Sequence, residues 1–91
     1  MSQVSKAVVS VLGMDRKGII AKVSGVLFRH DANILDISQT IVGGYFNMVM
    51  IVDITGCAFE MLMEDLRELG CQLGVQIRIQ KSEIFEAMHQ I

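Results

Sequence analysis

Apolar and polar residues change their spacing several times along this 91-residue chain, and each change marks an element. Ala7 to Leu12 is a β-branched, nearly unbroken apolar run, which predicts a strand buried on both faces or nearly so. From Ile19 the spacing becomes helical: Ile19, Ile20, Val23, Val26 and Leu27 form a stripe, with Lys22, Arg29 and Asp31 mostly elsewhere on the wheel. Leu35, Ile37 and Ile41 then alternate with Asp36, Ser38 and Thr40, a strand with one apolar and one polar face. Gly43-Gly44 predicts a hairpin turn into a partner strand, Phe46 to Ile54. There Phe46, Met48, Met50, Val52 and Ile54 share one face, and Asn47, Val49, Ile51 and Asp53 the other, as in a central strand.

After Thr55-Gly56, Phe59, Leu62, Met63, Leu66 and Leu69 make a second helical stripe, with Gly70 as its stop. Val75, Ile77 and Ile79 alternate with Gln76, Arg78 and Gln80 in a last strand, Val75 to Lys81. Ser82 can cap a short terminal helix over about 83–91, with Ile84, Phe85, Met88 and Ile91 on one side. That stripe is too short to stand alone, so it is expected to cover the sheet's second face or a partner subunit. The order βαββαβ predicts an α+β, ferredoxin-like sandwich: a four-stranded antiparallel sheet with two helices on one face, plus the short C-terminal helix. No proline, low-complexity tract or long linker divides the chain, so residues 1–91 are expected to form one domain.

Composition narrows the function classes. Apolar residues make up 52% of the chain and charged ones 20%, more apolar than a small monomer requires, so part of the excess is expected in a homodimer interface. A net charge of −2 provides no positive field for nucleic acid or an anionic membrane surface. Neither a secretory h-region nor a bilayer-length apolar run is seen, and the expected compartment is the cytoplasm. Cys57 and Cys71 form no metal-binding spacing and are expected to be reduced, buried or half-buried thiols. His30 and His89 have no nucleophile or metal-ligand spacing beside them, so no catalytic residue, metal or cofactor is expected.

The segment richest in candidate chemistry is Gly13-Met14-Asp15-Arg16-Lys17-Gly18-Ile19-Ile20, where a strand turns into a helix. Asp15 is placed to cap the helix, Gly18 lets backbone approach a ligand closely, and the first helical N–H groups can receive a carboxylate. Arg16 or Lys17 can add a positive charge. The same residues also suit a plain tight turn with a solvated charged triplet. Asn33 offers both donor and acceptor, apt for an amino acid's carboxylate and ammonium, but Asn also suits a left-handed helix C-cap.

In combination, Gly13-x-Asp15-Arg16-x-Gly18-Ile19, the helix with Val23 and Leu27, Asn33-Ile34-x-Asp36 and Phe46-x-Met48 resemble ACT domains, particularly those of the glycine cleavage regulator and formyltetrahydrofolate deformylase. With Ile84-Phe85-Glu86-Ala87-Met88 included, the whole chain is most similar to small stand-alone bacterial ACT proteins. One departure is Lys17, where many relatives carry Pro, which leaves this turn less rigid. The resemblance implies a non-enzymatic regulatory domain binding a small amino acid or related carboxylate, with an effector protein as partner. It implies ligand-binding positions at Gly13, Asp15, Arg16, Gly18, Ile19 and Asn33, often completed by a neighbouring subunit's second strand. Two other readings share the topology or composition: an acylphosphatase-like hydrolase using Gly13, Arg16 and Asn33, and a purely protein-binding or structural dimerisation module.

Overall fold

A computed structural model of the chain describes residues 5–14 and 18–81. The elements are β1 (Lys6–Met14), α1 (Ile19–Arg29), β2 (Asn33–Val42), β3 (Tyr45–Asp53), α2 (Phe59–Leu73) and β4 (Gln76–Lys81). All neighbouring strands pair antiparallel in the order β2-β3-β1-β4, which is the expected ferredoxin-like sheet. The short helix expected over about 83–91 lies outside the described residues.

The two helices cover one face of the sheet, where alternate residues of each strand meet their stripes. Ala7, Val9 and Val11 of β1 and Met48, Met50 and Val52 of β3 are fully buried against Ile19, Val23 and Leu27 of α1 and Leu62 and Leu66 of α2. The strand's other side is only graded in burial: Val8 is 9% exposed, Ser10 is half-buried and Leu12 is 45% exposed. The expectation that β1 is buried on both faces therefore holds at its start and fails towards Leu12.

Local chemistry accounts for most element ends. Gly43 and Gly44 both have positive φ, 57° and 84°, which is the backbone of a two-residue turn whose twist matches the paired Val42 and Tyr45. The end of α1 is a Schellman motif, with the Ala32 N–H donating to the Leu27 carbonyl at 2.9 Å and the Asp31 N–H to the Phe28 carbonyl at 3.0 Å. Its left-handed residue is Asp31, φ 59°, directly after the C-cap His30, so the left-handed position considered for Asn33 is held by Asp31.

Helix α2 runs past the expected stop at Gly70 and ends at Gly74, φ 72°. Gly70 is buried within the helix, where a Cβ would stand 2.8 Å from the Val75 carbonyl oxygen. That glycine answers to packing rather than to termination.

In β2 the pairing register shifts by one residue between Ile34 and Asp36, with Leu35 as the extra residue of a β-bulge. Ile34 opposes Val52 and Ile37 opposes Met50, so both stand on the helix side although three positions separate them. Period-two alternation places Ile37 and Ile41 correctly and misses Ile34, because a bulge changes parity.

A small polar brace closes the sheet at the β3 exit. The Asp53 Oδ1 accepts the Thr55 hydroxyl at 2.6 Å and the Thr55 N–H at 2.9 Å, and the Thr55 Oγ1 accepts the Ser5 N–H at 3.0 Å. The Thr55 hydroxyl and then its N–H hold the Asp53 carboxyl below its usual value, outweighing desolvation, with the Lys6 charge as the least of the contributions. A folded-state value below the unfolded one stabilises the fold above the ordinary Asp pKa, and that stabilisation is lost as pH falls through the folded value. Thr55→Val is expected to raise the Asp53 midpoint towards its ordinary value and to weaken this acid-side dependence. Carboxyl-carbon NMR titration measures it; an unmoved midpoint would show that the hydroxyl does not set this carboxyl.

Candidate functional site

The corner between β1 and α1 was the leading candidate on sequence, and the structure assigns its residues distinct roles. Gly13 lies within β1, opposite Phe46, rather than in the turn. A Cβ there would overlap the Val75 side chain, lying 2.9 Å from its Cβ, so close packing alone requires a glycine. Gly18 is the N-cap of α1 at φ 87°, with nothing within 4 Å of where a Cβ would stand. Its requirement is conformational.

Gly18 occupies the cap position and brings no side-chain cap of its own. Asp15 and Arg16 themselves lie outside the described residues. The Lys22 N–H bonds the Gly18 carbonyl at 3.0 Å. Ile19, Ile20 and Ala21 form the first turn of α1, the end of a helix at which the dipole favours an anion. The Ile19 side chain is 1% exposed in the core, so Ile19 can serve this corner only through its backbone.

Asn33 is exposed at the first position of β2, opposite Asp53. Asp53 in turn opposes Lys6, at the start of β1, whereas Met14 opposes Tyr45, next to the β2 end at Val42. Asn33 and the β1–α1 corner consequently occupy opposite ends of the sheet, about 26 Å apart for eight strand steps. Within one chain they do not form one site. Sequence spacing could not show this separation, because it depends on the direction in which β2 runs.

Sequence reading missed one polar cluster. The His30 Nε2 lies 2.7 Å from the Asp65 Oδ2, tying the end of α1 to α2, and the Cys57 thiol donates to the His30 carbonyl at 2.9 Å. Burial first, and then the charges of Asp31 and Asp53, raise the Cys57 pKa, which keeps it a protonated, poorly nucleophilic thiol. Cys57 is half-buried as expected, but Cys71 is exposed, and both are free. The cluster reads as a clamp between helices. Among the described residues no group of His, Cys, Asp or Glu is arranged to hold a metal ion, and no helix is long and apolar enough to cross a membrane.

Known proteins share this arrangement. A family model for the ACT domain matches residues 5–80. A UPF0237 protein of Bifidobacterium longum is 49% identical over 89 residues, covering 96% of this chain and 99% of its own. An ACT domain protein from Streptococcus pneumoniae superposes with a TM-score of 0.82 at 39% identity, covering 92% of this chain and 97% of that one. A putative glycine cleavage system transcriptional repressor shares the fold at a TM-score of 0.78 and 22% identity; the match covers 88% of this chain but 47% of the longer one.

Proposed function

This chain belongs to the ACT domain family, among the UPF0237 proteins, and from that premise we propose that it is a non-enzymatic cytoplasmic sensor. It binds a small amino acid or related carboxylate at a homodimer interface and passes the signal to an effector protein. The observation that carries this reading is the placement of Asn33 at the far end of β2 from the corner. Antiparallel pairing of β2 with the β2 of a second copy brings the partner copy's first β2 residues beside this chain's Val42, at the corner's end. The anion-accepting helix start of one protomer and the amide of the other then face one ligand. Asp15 and Arg16, carried by the same corner, complete the proposed set with Gly13 and Gly18.

The edge itself supports such pairing. β2 is one of the sheet's two edge strands, and its helix-side residues Ile37 and Ile41 are 40% and 62% exposed where the core runs out. A long apolar edge left open in a monomer invites aggregation, and a second copy protects it while extending the core. The acylphosphatase-like alternative gains nothing from the fold, because it needs Asn33 and the loop carrying Arg16 to converge in one chain.

Ligand binding to the native dimer raises its unfolding midpoint by mass action. A thermal-shift screen over the amino acids is therefore expected to find a stabilising ligand, and Asn33→Ala is expected to remove the shift while leaving the unliganded midpoint unchanged, since Asn33 is exposed. If no amino acid or small carboxylate moves the wild-type midpoint, the domain serves dimerisation or protein binding alone.

A further inference from the structure

The sheet's other edge runs beside a groove. β4 pairs with β1 on one side, and among the described residues no strand pairs with its outer side, where alternate backbone N–H and C=O groups are left for an incoming strand. Between this edge and the end of α2 lies a groove of about 440 Å³. Gly70 and the C-cap Gly74, one helical turn apart, line it without side chains, and the buried Val75 and half-buried Ile77 give it an apolar floor. Arg67 of α2 and Arg78 of β4 complete the lining, both exposed, and among the described residues neither is paired with a carboxylate. The helix keeps acids on its other flank, where Asp65 and Glu68 line a separate cleft with Arg29 of α1. The β4 groove is therefore apolar below and cationic at its margins.

We infer that this edge takes an extended acidic segment of a partner protein as an added strand. Main-chain bonds to β4 hold such a segment, and its alternate side chains divide between the two faces of the sheet. Those on the side away from the helices meet Arg78, which opposes Ser10 of β1; those on the helix side enter the groove over Val75 and Ile77, with Arg67 at its rim. A short charged edge by itself only discourages pairing. Here the groove and a second arginine across it, on α2, add a place for an incoming strand's side chains and a sign of charge to select them. A second copy of the chain fits less well, since antiparallel pairing of two β4 strands brings their central Arg78 residues together. The inference names the class of effector for the proposed sensor and rests on that reading only for what docking accomplishes.

The probe is a blocked peptide of alternating glutamate and valine, as long as β4, and its control is the same peptide with lysine for glutamate. Titrated into the isotope-labelled full chain without any amino-acid ligand, the glutamate peptide is expected to shift the backbone amide resonances of Gln76 to Lys81 saturably, and the lysine peptide to leave them in place. Reversing both charges with Arg67→Glu and Arg78→Glu is expected to abolish the response to the glutamate peptide and to create one to the lysine peptide. Cys71→Trp, which fills the groove from an exposed position, is expected to abolish the response to the glutamate peptide. Unmoved β4 amides, shifts confined to β2, equal responses to the two peptides, or an undiminished response in either variant would each overturn the inference. The two peptides on the unaltered chain decide the question even where a variant does not fold. A failed titration leaves the amino-acid thermal shift untouched, and a failed thermal shift leaves the titration untouched, so the two readings fail separately.

Discussion

Alanine at Gly70 is expected to destabilise the domain, whereas alanine at Gly25 is expected to stabilise it. Both glycines lie inside helices, where glycine costs about 0.5–1 kcal/mol relative to alanine. At Gly25 a Cβ meets nothing within 4 Å, so that gain is realised in full. At Gly70 the same methyl stands 2.8 Å from the backbone oxygen of Val75 and 3.4 Å from the Ile77 Cγ1. A backbone oxygen cannot rotate away, and the Val75 N–H is itself bonded to the Gly70 carbonyl at 3.0 Å. Helix and strand must separate, at a cost of about 1–3 kcal/mol for overpacking. For a domain of this size each kcal/mol moves the midpoint by about 4–8 °C, so thermal unfolding of the two variants should give shifts of opposite sign. A Gly70→Ala protein as stable as the parent would show that α2 and β4 are not held at this distance.

Ile41→Lys is expected to convert the proposed dimer to monomer without unfolding the chain. In a single chain Ile41 is 62% exposed, and a lysine there keeps its charge in water. Across a two-fold β2 seam the side chain is enclosed twice, once per protomer, and an unpaired buried charge costs about 3–5 kcal/mol. A penalty of that size weakens association by about 10²–10³-fold or more. Sedimentation at micromolar concentration should then show half the native mass with an unchanged circular dichroism spectrum. The ligand-induced thermal shift should vanish too, because the site takes Asn33 from the other copy. A variant that remains dimeric would move the interface away from the β2 edge, and with it the shared-site reading.

The corner and the amide illustrate how far local pattern reaches. Gly18 was legible as a turn glycine, because a positive φ is a property of one residue and its neighbours. Gly13 and Gly70 were not legible as packing glycines. Each is required by contact with Val75 or Ile77, residues just before and within β4, whose position relative to β1 and α2 no local signal specifies. The Leu35 bulge was hidden for a related reason: Ile34 is helix-facing only because β3 opposes it with Val52. His30 and Asp65, 35 positions apart, meet only when the two helices pack side by side.

Taken alone, the sequence determined the order and type of the elements, the Gly43-Gly44 hairpin and the apolar faces that build the core, because these follow from side-chain period and backbone preference within a few residues. Its motif combination also pointed to the family. Only the tertiary structure decided that Asn33 and the β1–α1 corner stand at opposite ends of the sheet, that Gly13 and Gly70 are places of close approach, and that β2 exposes Ile37 and Ile41 along an open edge. Those are relations between segments distant in the chain, set by strand direction and by which surfaces meet, and no period of hydrophobic residues encodes them.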